Sequence, residues 1–574
     1  MPFLPADFIG GDLHWLLDFV VKDTTLRFSR VPVSATLPDG EEWDYQAGLE
    51  FSEEFEDGIN PFGSTPSEHS VEITLHASLL VDVAGEIMKG YDLAAARGKL
   101  WLYEKNSKSA VLFLDGVVRS VEWGSIEEPI TFSLEEVIAD DAGLFPPPLA
   151  VIDRTSWPNA VEDVRGERYP WIFGAPGKAY SASAAVAYGY GSPAFLVDDT
   201  GGAQKLLIAG HHVAAGRVTL INDETGSVSA TSLVTNDFDG RGHPIAWCDV
   251  ASTGSGGGGA AEPDDKFFIK WHNYAGTEAA GVMMPDGTGM YGAGDVLRYM
   301  LSFSRLRIDH GRLAAAIPQL NQFRIDTAIC CGPDERFTPW EWIEDHLSSI
   351  LPVSWRISTG DQGGHYPVYW RFDATSHDAV ANITATAEAH AADSINLHSE
   401  VVAGTAYRDG MASFSPRSEV ANEFTLDFQG DFKDGAYWGR RTLTGDHALA
   451  AQDDSVGSNF YCHISRTRYR GPDNLPQTVS MELTTDVVWD EATATAVLSW
   501  MSRRHAIQSI FVSYIVDAEV ACHLEPGDML LVTDAELKFT EYLFMVEQIT
   551  WRSDRFLGLD LRSLTDAARD MLGA

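Results

Sequence analysis

The sequence predicts a mainly β protein with an α+β insertion, made of several small β-barrel or sandwich domains. Three observations lead there. Short apolar–polar alternations recur along the chain, the period of half-buried strands. The 51 glycines and 26 prolines supply turns between them. Only three stretches carry helical periodicity, two of them in the middle of the chain. An apolar fraction of 45% argues for a folded chain, and 574 residues exceed one core, so three or four domains are expected. The divisions are an N-terminal β domain over 1–150, a turn-rich connection and β insertion over 151–265 ending in a Gly-rich linker, an α+β middle over 266–372, and a C-terminal β-barrel-like domain with one helix over 373–574.

In the first part, Val71, Ile73, Leu75 and Ala77 alternate with polar residues, and Val111–Val118 reads as a strand pair around an Asp115-Gly116 turn. Phe145-Pro-Pro-Pro148 and Trp157-Pro158 mark an extended connection. In Arg168–Gly177, Pro170, Pro176 and two glycines fix a rigid turn, which Tyr169, Trp171 and Phe173 can anchor in a core. An aromatic shelf for carbohydrate is the functional rival. Lys205–Ala209 and Arg217–Ile221 are short strands, with Asn222–Gly226 turning into the next. Thr253–Pro263 is Gly-rich and reads as a linker, a loop tip or a contact site.

A helix is predicted from Ala293 to Phe303, with Val296, Tyr299, Met300 and Phe303 on one face. Phe323–Asp326 reads as a strand. Thr338, Pro339 and Glu341 open a second helix as N-cap, first residue and capping box, with Trp340, Ile343, Leu347 and Ile350 inward and Pro352 beyond its end. Trp355-Arg-Ile and Val368–Phe372 complete the middle. A third helix is predicted from Asp490 to about His505, striped by Ala492, Ala496, Val497, Trp500 and Arg504. It lies between strands at Thr478–Leu483 and Ser509–Val516. Three β-rich runs close the chain: His523–Asp534, Leu543–Trp551 and Phe556–Ser563, broken by turns at Pro526–Asp528, Asp534–Lys538 and Arg552–Arg555. Such a meander curls into a small barrel or sandwich.

Charge narrows the function classes. The net charge is −42, from 83 acidic and 41 basic residues, whereas nonspecific DNA binding needs clustered Lys and Arg. Residues 1–60 hold 13 acidic and 3 basic side chains, concentrated in Asp39–Asp44 and Glu53–Asp57, and read as a solvated face. No signal peptide and no apolar run of bilayer length is visible, so a soluble protein made in a cytoplasm, without membrane insertion, is expected.

Candidate chemistry is sparse. Of five cysteines, none has Cys-x-x-Cys spacing, and the odd count argues against a disulfide framework. Cys462-His463 and Cys522-His523 would chelate poorly as neighbours on strands, so buried structural cysteines are expected. His211-His212 lacks a third ligand at metal spacing, and Asp237–Gly242 resembles a calcium loop without its distal Glu. Gly287–Gly292 has G-x-G-x-x-G spacing without the preceding strand of a dinucleotide site, and reads as a lead into a helix. Cys248 with His243 stays open as a thiol–imidazole pair for a wall hydrolase. No catalytic, cofactor-binding or metal-binding residue is named, and no cofactor is expected.

Arg417–Phe428 places Phe424, Leu426 and Phe428 on one strand face and carries Asn422-Glu-Phe-Thr425. That strand, a helix-bearing segment, a Leu524-Glu-Pro-Gly-Asp528 hairpin and a closing strand pair resemble the hub proteins of phage tail tips and baseplates, most clearly over residues 290–565. The resemblance implies a structural, non-enzymatic virion protein, assembled in the host cytoplasm. It implies a homotrimeric adaptor ring below the tail tube, touching the distal tail protein, the tape measure protein and a central fibre or tip protein. DNA would pass through during ejection without specific binding. A distal tail protein or another tail adaptor is the alternative. From a different class, a carbohydrate-binding or cell-wall-degrading tail-tip protein is the other.

Overall fold

The computed structural model describes residues 12–21, 24–51, 55–58, 70–75, 96–122, 128–136, 143–177, 190–200, 204–214, 217–224, 227–249, 266–272, 281–358, 363–372, 374, 376–385, 405–444, 457–471, 474–551 and 556–564. The architecture is mainly β, with several separate sheets.

The N-terminal part is a nine-stranded sheet. It runs from Val33–Thr36 through Glu42–Ala47, Thr24–Ser29, Leu13–Val21, Arg97–Glu104, Ser109–Glu122, Ile130–Glu136 and Ser70–Leu75 to Leu49–Phe51. The end of the chain forms a second sheet. Ala381–Ala385, Thr405–Phe414, Ile510–Asp517, Phe556–Ser563, Phe539–Trp551 and Met529–Asp534 pair in sequence. Met529–Asp534 then pairs back to Ala381–Ala385, so six strands are joined in a ring. The alternation of Leu557, Leu559 and Leu561 puts all three in its core.

These two sheets are one body. Phe55–Gly58, close behind the last strand of the N-terminal sheet, pairs antiparallel with Phe539–Trp551, Phe55 opposite Trp551. The Trp551 ring meets Trp15 edge-on at 5.4 Å and Phe113 at 6.1 Å. A single apolar cluster consequently extends from Leu13 to Leu564. Each large side chain fully buried there contributes roughly 1.5–3 kcal/mol.

Between the two ends lies the rest of the fold. Ser192–Asp198, Lys205–Ala209, Pro244–Asp249, Ser227–Phe238, Arg217–Asn222 and Phe267–His272 close a six-stranded barrel around Leu206, Ile208, Val218, Leu220, Ile269 and Trp271. Helices Ala293–Leu301 and His310–Leu320 and the hairpin Val353–Ile357/His365–Tyr369 form the α+β middle. A three-stranded sheet, Tyr437–Thr444, Glu423–Gly430 and Ser480–Thr484, leans on it with helices Gly457–Arg468 and Glu491–His505. Phe424, Leu426 and Phe428 of that sheet share a core with Trp171, Phe173, Val296, Ile325 and Leu347.

The structure corrects several local expectations. Val111–Val118 is no hairpin, because Ser109–Glu122 is one continuous strand. Gly116 sits opposite Gly98, and a Cβ at Gly116 would overlap the Glu135 carbonyl; the glycine serves close strand packing and not a turn. The strand expected at Phe323–Asp326 forms at Thr327–Ile329, paired with Trp171–Phe173. Helices His310–Leu320 and Gly457–Arg468 were not expected. The Thr338–Glu341 capping box forms at both hydrogen bonds, yet α-helix Pro339–Trp342 passes into a π-helical turn, Ile343–Leu347. Ile343, Leu347 and Ile350 are buried as expected, Trp342 joins them, and Trp340 stays partly exposed. Glu491–His505 buries Thr493, Ala494, Val497, Leu498, Met501 and Ser502, so of the expected stripe only Val497 belongs to its buried face. Trp500 touches both large cores instead, and the Arg504 guanidinium lies 5.3 Å from the Trp370 ring. This helix is wedged between two bodies and has no single inner stripe.

Candidate functional site

Most residues flagged for chemistry prove structural. His211 is 4% exposed; its Nε2 accepts from the Ile172 N–H at 2.9 Å and its Nδ1 lies 2.9 Å from the His212 carbonyl. Burial holds its pKa down to about 4, so it serves as a neutral imidazole bridging the barrel to the Trp171 strand. His243 Nε2 lies 3.0 Å from the Gly210 carbonyl, and its ring packs on Tyr169 and Trp171. Cys248 belongs to the barrel core, where burial pushes its thiol up to about 12. The two do not form a nucleophile–base pair. Asp239, in the suspected calcium loop, accepts from the N–H groups of Arg241 and His243 and from the Tyr169 hydroxyl at 2.7 Å. Asp237 accepts from the Phe238 N–H and the Trp247 indole. Both carboxylates fasten a turn, and among the described residues no group of three potential ligands is placed to hold a metal ion.

Cys462-His463 lies on helix Gly457–Arg468, and Cys522-His523 follows the short helix Ala518–Ala521, so the expected strand setting is wrong for both. Cys462 and Cys522 are nonetheless buried, as are Cys248 and Cys331, while Cys330 is intermediate; all five are free thiols. Gly292 is the N-cap of Ala293–Leu301, and Asn321 Oδ1 accepts from the Asp295 N–H at 3.2 Å. Asn321 thus covers the helix start that a phosphate would use. Thr253–Pro263, Glu53-Glu54 and the Arg552–Arg555 turn lie outside the described residues.

The Arg168–Gly177 segment is packed as expected, but its centre is a strand, Trp171–Phe173, and the turn comes only at its end. Tyr169, Trp171 and Phe173 are each at most 2% exposed, which removes the aromatic-shelf reading there. Gly174 has φ +59°, and a Cβ would overlap Asp326 Oδ1 and the Ile325 carbonyl. The Asp326 carboxylate accepts from the Ala175 N–H at 2.7 Å and from Arg324 Nε at 2.9 Å.

Above this turn opens a polar cleft of about 450 Å³, where the barrel, the α+β middle and the three-stranded sheet converge. Its best-defined pair is His346 Nδ1 and Asp486 Oδ1, 3.1 Å apart and contributed by segments 140 residues apart. His346 stands on the π-helical turn, a widened geometry frequent at functional sites. Burial alone would lower the His346 pKa; the hydrogen bond and charge of Asp486, helped by Asp345, outweigh it and raise the value. Burial likewise opposes the Asp486 charge, but His346 prevails and holds that carboxyl below its ordinary range. Asp431 also lines the cleft and is 3% exposed, its oxygens taken by the N–H groups of Tyr190, Lys433 and Asp434 and by the Trp438 indole. No sequence pattern pointed to this site: its residues come from distant segments with no motif spacing.

No protein-family model matches the chain, and no curated protein matches it. Among solved structures, it is similar to a chain of the virion of a native gene transfer agent particle, with 13% identity over 46% of this chain and 80% of that one, at a TM-score of 0.17. It is similar to the 43 kDa tail protein of prophage MuSo2 from Shewanella oneidensis, with 8% identity over 96% and 99% of the two chains, at a TM-score of 0.32. A chain of the p2 virion baseplate in its activated conformation shares 9% identity over 74% of this chain and 99% of that one, at a TM-score of 0.15. None of these likenesses assigns a role to a residue of this chain.

Proposed function

We propose that the chain is a structural hub of a phage tail tip or baseplate, an adaptor ring that joins the tail tube and distal tail protein to a central fibre or tip. In this reading three copies close around the DNA exit channel, with the tape measure protein above. The divisions near residues 150, 265 and 372 are steps of construction within one adaptor. Its work is mechanical: to hold neighbours and let DNA leave, without a catalytic step.

One observation carries the reading. The elements that resemble hub proteins do not lie as separate beads but are bound into continuous cores. Strand Glu423–Gly430 and helix Glu491–His505 enter the same core as the Arg168–Gly177 segment, and the closing strands enter the core that reaches back to Leu13. The Leu524–Asp528 segment, expected as a hairpin, is a turn from helix Ala518–Ala521 into strand Met529–Asp534, and Arg312 fastens it to the middle part. A ring subunit under load needs such a wall, since interior packing transmits strain and a flexible string does not.

The test is co-assembly. Mixed with the distal tail protein of the same particle, the full chain should form a defined complex containing three copies, read by native mass measurement. Hydrolysis of purified peptidoglycan by the full chain, with no such complex, would overturn the reading.

A further inference from the structure

We propose that the cleft between the barrel, the π-helical turn and the three-stranded sheet is a binding site for a neutral saccharide. This inference stands apart from the tail reading and does not need it. Cavities of this size at the junction of packed units are where small ligands bind, held by a few convergent polar groups.

The lining selects the ligand class. Among the described residues no lysine or arginine lines the cleft, so an anion finds no counter-charge. A cation fares little better. Asp431 is buried and fully engaged, and Asp486 is already matched by His346, which leaves Asp345 as the one unmatched lining carboxylate. What remains is two neutral hydroxyls, on the exposed Thr484 and on Tyr437, and the outer lone pairs of the Asp486 carboxylate, whose charge His346 faces. Beside them stand two aromatic rings with open faces, Tyr437 at 43% exposure and Phe432 at 41%. Hydroxyls that give and take hydrogen bonds and a carboxylate that accepts them, next to apolar ring faces, match a sugar ring with its equatorial hydroxyls and apolar C–H face. Gly430 lets Asp486 and the Tyr437 ring pack closely together, because a Cβ there would come within 3.0 Å of Asp486 and 3.6 Å of the Tyr437 ring.

The experiment is saturation-transfer NMR on the full chain with oligosaccharides of glucose, galactose, rhamnose and N-acetylglucosamine, followed by titration of whichever binds. Tyr437→Ala removes a ring face, and Thr484→Val removes a hydroxyl while keeping its shape. Both positions are exposed, so a thermal melt should match the parent. Phe414→Ala, an exposed aromatic at 60% that does not line the cleft, is the control. The expected result is saccharide binding that weakens about tenfold in Tyr437→Ala and severalfold in Thr484→Val, and is unchanged in Phe414→Ala. No transfer from any of the four sugars would overturn the proposal. So would equal binding by all variants, or displacement of the sugar by an arginine-containing peptide that binds more tightly.

Discussion

Arg312 and Glu525 meet as a two-pronged ion pair across 213 residues of sequence. Arg312 Nη1 lies 2.5 Å from Glu525 Oε2, and Nη2 lies 2.6 Å from Oε1. The pair ties helix His310–Leu320 to the Leu524–Asp528 turn and so joins the α+β middle to the closing sheet. Arg312 also donates to the Tyr366 hydroxyl at 2.8 Å, and both partners of the ion pair are mostly sheltered, at 19% and 25% side-chain exposure. Hydrogen bonds to charged groups contribute about 1.5–3 kcal/mol, so Arg312→Ala should destabilise by that order. Arg312→Lys should recover little, since an ammonium cannot present the planar fork. A double-mutant cycle with Glu525→Gln, read by denaturant unfolding, should return a coupling of about 1–3 kcal/mol. Additive effects would show that the two residues act separately.

Asp528, in the same turn, gives a pH signature. Burial first, then the neighbouring Glu525 charge, push its pKa up to about 6, against the pull of Arg356, Arg312 and the Glu525 N–H. A carboxyl raised above its unfolded value of 3.8 contributes stability that is fully present below that value and is lost as pH rises through about 6. Asp528→Asn should therefore gain stability relative to the parent between pH 4 and pH 7. Parallel melting curves over that range check it, and a relative gain on acidification would contradict the assignment.

Gly174→Val should fail to fold or assemble. It combines a strained φ of +59° with overlap of Asp326 and the Ile325 backbone, and strain of this kind costs on the order of 1–3 kcal/mol before any clash is counted. The check is soluble yield and melting temperature. A well-folded variant that had lost only glycan binding would mean that this turn is not a packing device.

The charge prediction concerns the ring. DNA carries one charge per roughly 1.7 Å of axis, so a basic lumen would hold the strand and an acidic one would keep it centred over a screening length of roughly 8–10 Å. Acidic side chains should outnumber basic ones on the channel face by more than the whole-chain ratio of 83 to 41. Counting charged side chains on the lumen and the outside of an imaged ring tests this. A neutral or basic lumen would leave the net charge of −42 to solubility alone.

Local chemistry was legible in the sequence and long-range assembly was not. The Thr338–Glu341 capping box and the Leu557–Leu561 alternation depend on neighbours a few residues away, and both appear as read. Helix His310–Leu320 is hard to see in the sequence because Pro318 inside it signals a break, although the Asp309 side chain caps its start. Gly116 reads as a turn residue until its partner Gly98 and the Glu135 backbone are seen beside it. The stripe on Glu491–His505 was misplaced because that helix contacts two cores, which no single periodicity can express. His346 and Asp486 are separated by 140 residues, and only the fold reveals them as a pair.

Imaging the intact tail particle with this chain labelled tests the hub assignment most directly. The account predicts three copies in a closed axial ring between the tail tube and the tip, with the Leu13–Leu564 body forming the wall. A two-fold dimer, or a label on the periphery away from the axis, would contradict it.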